Sequence, residues 1–156
     1  LVSTGELHVA LGLADSPLED LCVRGLSWAQ TRRYAAHVCA AMTYLAEKGV
    51  AHAALSLTCC CVRALDDCAL VSPCPVAPTL KSVATSDSGD PSAGDANAAP
   101  EVCLGMCAVV ASDAWSLGCV LASMATGTLL FAAPLTWVGL MRCQLQLIGP
   151  CPRAAR

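Results

Sequence analysis

The run SDAWSLGCVLASMATGTLLF, Ser112–Phe131, decides how the rest of the chain is read. It is apolar apart from hydroxyls and one carboxylate, and it opens on a helix-start signature. Ser112 is the predicted N-cap, and Asp113 falls in the first turn, where a negative charge meets the positive end of the helix dipole. The predicted helix runs to about Ala125, with Gly127 where a C-cap glycine belongs. From Ala114 to Met141 there is no charged residue, a length beyond the ~20 residues that cross a bilayer. Ala125–Thr128 (ATGT) and Pro134 divide that run, and each piece has the length of a buried core helix rather than of a span. A further helix is predicted over Leu135–Leu147, closed by Gly149 and Pro150.

Working outward, SWAQ at Ser27–Gln30 is a capping box, in which the serine hydroxyl and the glutamine side chain each satisfy a free backbone amide. Behind it Tyr34, Val38, Met42 and Leu45 recur at spacings of four, four and three, one apolar stripe of a helix over 28–48 that Gly49 ends. Upstream, residues 1–20 read as short apolar pieces broken by Gly, Asp and Pro. Downstream, residues 50–73 read as loop, short strand, turn at Asp66–Asp67, and short strand. Residues 84–98 (ATSDSGDPSAGDANA) contain no large apolar side chain and read as a flexible loop that cannot bury a core.

Composition excludes several functions. The formal charge is −3 over 156 residues, with nine Lys and Arg scattered, so no basic stripe offers a nucleic-acid surface. Charged residues make up 13%, well below the ~25% of a typical soluble domain. Twelve cysteines would suit a disulfide scaffold, but Cys59, Cys60 and Cys61 are consecutive and most others sit in apolar stretches. There is no CxxC pair and no HxxxH, so no zinc site is expected. The thiols read as small core hydrophobes in a reducing, intracellular and cytoplasmic setting. A nucleophile in the run Cys59–Cys61 would need a cation or a helix N-terminus nearby, and Arg63, the only candidate, is not expected to reach it. The start at Leu1 rather than Met reads as a fragment whose N-terminus lies upstream.

Several motifs then fall in a familiar order. APE occurs at Ala99, Pro100 and Glu101. Asp113, Trp115, Ser116, Gly118, Cys119, Gly127 and Phe131 match the D-x-W-S-x-G-C…G…F segment of protein kinases. YLAEKGVAHAAL places Tyr44, Leu45, Gly49, Val50, His52 and Leu55 on the pattern that ends in H-R-D-L. GELHVAL (Gly5–Leu11) is similar to the hinge connection, and QLQLIGPCP (Gln144–Pro152) to a Q-L-x-x-I…G-x-P stretch. The chain thus resembles the C-terminal lobe of a protein kinase, most closely the cyclin-dependent and mitogen-activated group, from the hinge to before the middle helices of the lobe. The resemblance implies a mainly α chain of an α+β family fold, a C-lobe without the N-lobe. It also implies that the Asp113 helix is the central helix of the lobe, apolar on all sides, which makes a membrane span unlikely. Residues 84–98 become the activation-loop-like segment.

The same resemblance lets the chemistry be checked position by position, because phosphoryl transfer needs Mg²⁺ and cations on the phosphates and a carboxylate to orient the attacking hydroxyl. HAALSLTC at His52–Cys59 keeps His52 and Leu55 of H-R-D-L-x-x-x-N. Ala53 stands for the arginine, Ala54 for the catalytic aspartate, Ser56 for the lysine, and Cys59 for the metal-binding asparagine. Ser72, Pro73 and Cys74 fall on D-F-G, so a neutral hydroxyl replaces the Mg²⁺ carboxylate. His52 and Asp113 are implied scaffold residues; Glu101, whose family partner is an arginine far downstream, is expected unpaired, and His8 and His37 have no recognisable partner. ATP and Mg²⁺ are the family's cofactors, and none is expected here. The reading is a pseudokinase fragment acting, if at all, by binding another protein through exposed apolar surface. Its alternatives are an active serine/threonine kinase seen in a truncated or imperfect reading, and a non-functional decayed copy.

Overall fold

The computed structural model describes residues 14–72, 96–131 and 136–149. In chain order these form β1 (Ser16–Pro17), α1 (Leu18–Arg24), α2 (Trp28–Glu47), a 3-10 turn (Leu57–Cys59), β2 (Cys60–Arg63) and β3 (Cys68–Val71). Then follow α3 (Pro100–Cys103), α4 (Val110–Thr126) and α5 (Trp137–Ile148). Helices predominate, with a three-stranded antiparallel sheet in the order β1-β2-β3, in agreement with the mainly α fold expected.

The capping box holds α2 at its start: Ser27 Oγ accepts from the Gln30 amide at 3.3 Å, and Gln30 Oε1 accepts from the Ser27 amide at 3.1 Å. Tyr34, Val38 and Met42 are buried as their spacing predicts, and Leu45 packs against the same cluster. Beyond the C-terminus Gly49 takes φ +68°, a left-handed turn that glycine adopts without a Cβ clash.

Helix α1 was not legible as a helix. It has seven residues, too few for a periodic signal, but Glu19 and Asp20 lie in its first turn and Arg24 in its last, as the helix dipole favours. Leu18 and Cys22, four apart, face the core.

The predicted turn at Asp66–Asp67 joins β2 to β3, paired from Cys60↔Val71 to Arg63↔Cys68. Asp67 adopts φ +51°, which a short polar side chain tolerates, and its carboxylate accepts from Tyr34 Oη and pairs with Arg33. This ties the hairpin to α2. A second tie is His37, whose Nδ1 accepts from the Ala69 amide at 3.1 Å. His37 therefore has a partner that its sequence position did not reveal, because the two residues meet only when the hairpin folds back onto α2.

Two corrections concern α4. It begins at Val110, so Ser112 is not the N-cap. Its hydroxyl points out of the helix, donating to Glu101 Oε1 at 2.7 Å and accepting from the Val109 amide at 3.3 Å. Nor is α4 buried all round. Val120 and Met124 enter the core shared with α1, α2 and the sheet, while Cys119 enters a second cluster with Ala96, Phe131 and Leu140. Among the described residues a third face of small side chains, Ala111, Ala114, Gly118 and Ala125, is exposed. Two apolar neighbours cover two faces of the cylinder and leave the third open. Gly127 ends α4 at φ +70°, ψ 10°, a left-handed conformation that glycine adopts without a Cβ penalty.

Thr136 caps α5 by accepting from the Gly139 amide at 3.1 Å, close to the predicted start. No helix among the described residues is long and apolar enough to cross a membrane. Of the ten described cysteines only Cys22, Cys60 and Cys119 are buried; six are half-buried and Cys107 is exposed. They are less uniformly core residues than the sequence suggested, because several lie on the outer faces of two-layer elements. Residues 84–95 of the expected flexible loop lie outside the described residues, as do His8, Pro73 and Cys74. Ala96 and Asn97 are buried.

Candidate functional site

The loop between α2 and the 3-10 turn carries the candidate site, and α4 fixes it from below. Asp113, only 5% exposed, accepts from the His52 amide through Oδ2 at 2.7 Å and from the Ala53 amide through Oδ1 at 2.9 Å. Ala53 sits at φ +66°, a left-handed conformation that costs a non-glycine residue ~1–2 kcal/mol. A carboxylate taking two consecutive N–H groups offsets that strain, since each charge-assisted bond contributes ~1.5–3 kcal/mol. Asp113 thus ties α4 to the backbone of residues 52–53.

Further tethers close the loop. Leu55 is fully buried, and its carbonyl accepts from Asn97 Nδ2 at 3.4 Å. Asn97 is held in turn by Ser116, whose Oγ donates to its carbonyl at 2.8 Å. No local pattern announced the Leu55–Asn97–Ser116 chain, which joins three segments distant in sequence.

His52 packs beneath the loop, 5% exposed, with Nε2 2.9 Å from the Ser72 carbonyl oxygen. The Ser72 amide in turn donates to the Cys59 carbonyl at 2.8 Å. The Cys59 sulfur accepts from the Ser56 amide at 3.2 Å and lies 3.1 Å from the Ser56 carbonyl oxygen. His52, Ala54, Cys59 and Ser72 therefore lie in one small region. Arg63 pairs with Asp66 rather than with Cys59. Contact with Cys59 pushes the imidazole pKa up against the opposing effect of burial. The Cys59 thiol is held well below the usual thiol range, chiefly by the Cys60 thiol and then, against burial, by His52 and the Ser56 amide. Cys60, wholly buried, moves the opposite way through its bond to Cys59 and its burial.

The remaining motif residues have structural surroundings. Ala99 is buried and Pro100 opens α3 at its first position, where the missing N–H is no loss. Glu101 is not unpaired, because Ser112 donates to it. Trp115 packs in the second cluster, its Nε1 buried without a partner. Gly118 faces solvent with nothing within 4 Å of a built Cβ, so nothing in the described packing demands glycine there. Gln144 donates to the Ala98 carbonyl at 2.8 Å, which locks α5 to the segment ahead of α3.

A strained loop pinned by a helix aspartate and followed by a hairpin is the arrangement that the motifs implied, and a family comparison agrees with it. The family described as protein tyrosine and serine/threonine kinase matches residues 1–133. The chain belongs to the protein kinase family. No curated protein matches it. At the loop described above, Ala54 presents a methyl, Cys59 a thiol and Ser72 a hydroxyl. Mg²⁺ favours carboxylate oxygens, and these three side chains offer one neutral hydroxyl and no carboxylate. Among the described residues no group of three His, Cys, Asp or Glu could hold a metal ion.

Proposed function

We propose that this kinase-family domain transfers no phosphate, takes up no Mg²⁺–ATP at the described loop, and works by binding another protein. The observation that carries the reading is the contrast across one loop. Asp113 keeps the backbone of residues 52–53 in its strained shape, yet the next residue, Ala54, presents a methyl group that neither orients a hydroxyl nor accepts its proton. The likeness to the cyclin-dependent and mitogen-activated group belongs to the same reading, as does an intracellular, cytoplasmic setting, supported by the free thiols of Cys22, Cys60 and Cys119 in the core. Apolar surface supports a protein partner. Val138, Leu145, Leu147 and Ile148 of α5 are more than half exposed, and α4 presents its open small-residue face. The net charge of −3 argues against nucleic acid.

The test is incubation of the purified chain with radiolabelled ATP, Mg²⁺ and a general protein acceptor. No labelled acceptor and no labelled chain are expected. Label that tracks the chain through successive purification steps would overturn the reading.

A further inference from the structure

We infer that His37 is a proton-sensitive latch between α2 and the β2–β3 hairpin, closed while its imidazole is neutral and released when the ring takes up a proton. The latch is one bond, in which the Ala69 amide donates to His37 Nδ1 at 3.1 Å. An amide N–H can only donate, so Nδ1 presents its lone pair and the neutral ring carries its proton on Nε2. The imidazolium has an N–H on both nitrogens, which sets donor against donor at Nδ1. Ala69 is 5% exposed, so its amide then loses its acceptor where water does not replace it, the most costly way to lose a hydrogen bond. His37 itself is half-buried, so its ring is within reach of solvent protons.

The charges around the ring decide whether protonation opens the latch or only exchanges one contact for another. Asp66 and Asp67, in the turn of the hairpin, attract an imidazolium, but both are already engaged. Asp66 pairs with Arg63, and Asp67 pairs with Arg33 and accepts from Tyr34 Oη. Arg63 first holds the Asp66 carboxyl below the usual carboxylate range, and Tyr34 first does so for Asp67, with His37 a lesser contributor to each. Both carboxylates lie at the surface, where attraction is screened and weak. Arg33, one turn before His37 on α2, repels the imidazolium, and Cys68, beside Ala69, is the other titratable side chain of β3. Helix α4, also packed on α2, carries one charge, Asp113, which is engaged with the His52 and Ala53 amides. The lost buried bond outweighs the screened attraction. The tie is therefore present at neutral pH and lost as pH falls.

What the latch holds is β3, which continues from Val71 directly into Ser72. Ser72 in turn meets His52 Nε2 through its carbonyl and the Cys59 carbonyl through its amide. Release at Ala69 loosens the strand that leads into the candidate site, while the Asp67 contacts keep the turn on α2. The device works between about pH 5 and 8, the window in which imidazole ordinarily changes charge.

Amide hydrogen exchange, followed by NMR on the whole isotope-labelled chain at about pH 8 and about pH 5.5, tests the latch once each rate is normalised to that of the unfolded peptide. The reference is the Leu140 amide, which donates to the Thr136 carbonyl and belongs to the other core cluster. Protection of Ala69 relative to Leu140 is expected to fall roughly tenfold at the lower pH. The ring nitrogen shifts of His37 at the higher pH are expected to show the Nε2–H tautomer. H37Q offers an oxygen that accepts at either pH, so its ratio should change less than about twofold. A constant ratio in the native chain, an Nδ1–H tautomer at the higher pH, or an equal fall in folded H37Q overturns the inference. The first two readings come from the native chain alone, so they decide the matter even where H37Q does not fold.

Discussion

Replacing Asp113 by asparagine is the most informative single perturbation, because it changes one atom while keeping shape. In the native protein each carboxylate oxygen takes one backbone N–H, from His52 at 2.7 Å and from Ala53 at 2.9 Å. The D113N side chain keeps one oxygen and turns an NH₂ group toward the other amide, donor against donor. One charge-assisted bond is lost, leaving a buried N–H without a partner at ~1–3 kcal/mol, and the surviving bond weakens to a neutral one, a further ~1 kcal/mol. Relaxation of Ala53 out of its left-handed conformation returns up to ~1–2 kcal/mol. The net expectation is a loss of about 1–3 kcal/mol, or roughly 2–12 °C in Tm for a chain of this size. Urea unfolding followed by tryptophan fluorescence reads it directly, since Trp115 lies two residues away on the same helix. The companion change A53G should act in the opposite direction, gaining about 0.5–1 kcal/mol, because glycine meets no Cβ penalty at φ +66°. D113N within 0.5 kcal/mol of the native protein, or a destabilised A53G, would refute the view that α4 holds this loop under strain.

Two other measurements follow from the same structure. Burial first, and then the Asp67 carboxylate, push the Tyr34 phenol up to about 12, above its unfolded value of ~10. The folded state therefore holds that proton more tightly, so the stabilisation is complete below pH 10 and is lost as pH rises from 10 toward 12. Y34F should flatten that upper part of the alkaline unfolding curve. The earlier part, due to Cys22 and Cys119, both raised to about 11 by burial, should remain; an unchanged curve in Y34F counts against the assignment. S27A removes one half of an exposed capping box and should cost about 1 kcal/mol, read as a shift in the urea midpoint with unchanged slope.

The sequence by itself determined the elements whose signals are local. The α2 stripe, its capping box, the Asp66–Asp67 turn, the Gly127 cap and the α5 start all rest on spacings of a few residues, and short-range sterics and hydrogen bonds enforce them in nearly any context. The kinase-family motifs likewise located Ala54, Cys59 and Ser72 by position. Tertiary structure alone decided what those residues touch. Glu101 finds Ser112, His37 finds the Ala69 amide, and His52 Nε2 finds the Ser72 carbonyl, because each contact exists only after the chain has folded back. It also decided that α4 keeps an open face, since a helix apolar all round says how much of it can be buried but not how many neighbours arrive to do so. Hydrophobic pattern is a property of one segment, while a buried carboxylate that takes two amides of a distant loop is a property of two, and only packing brings the second into being.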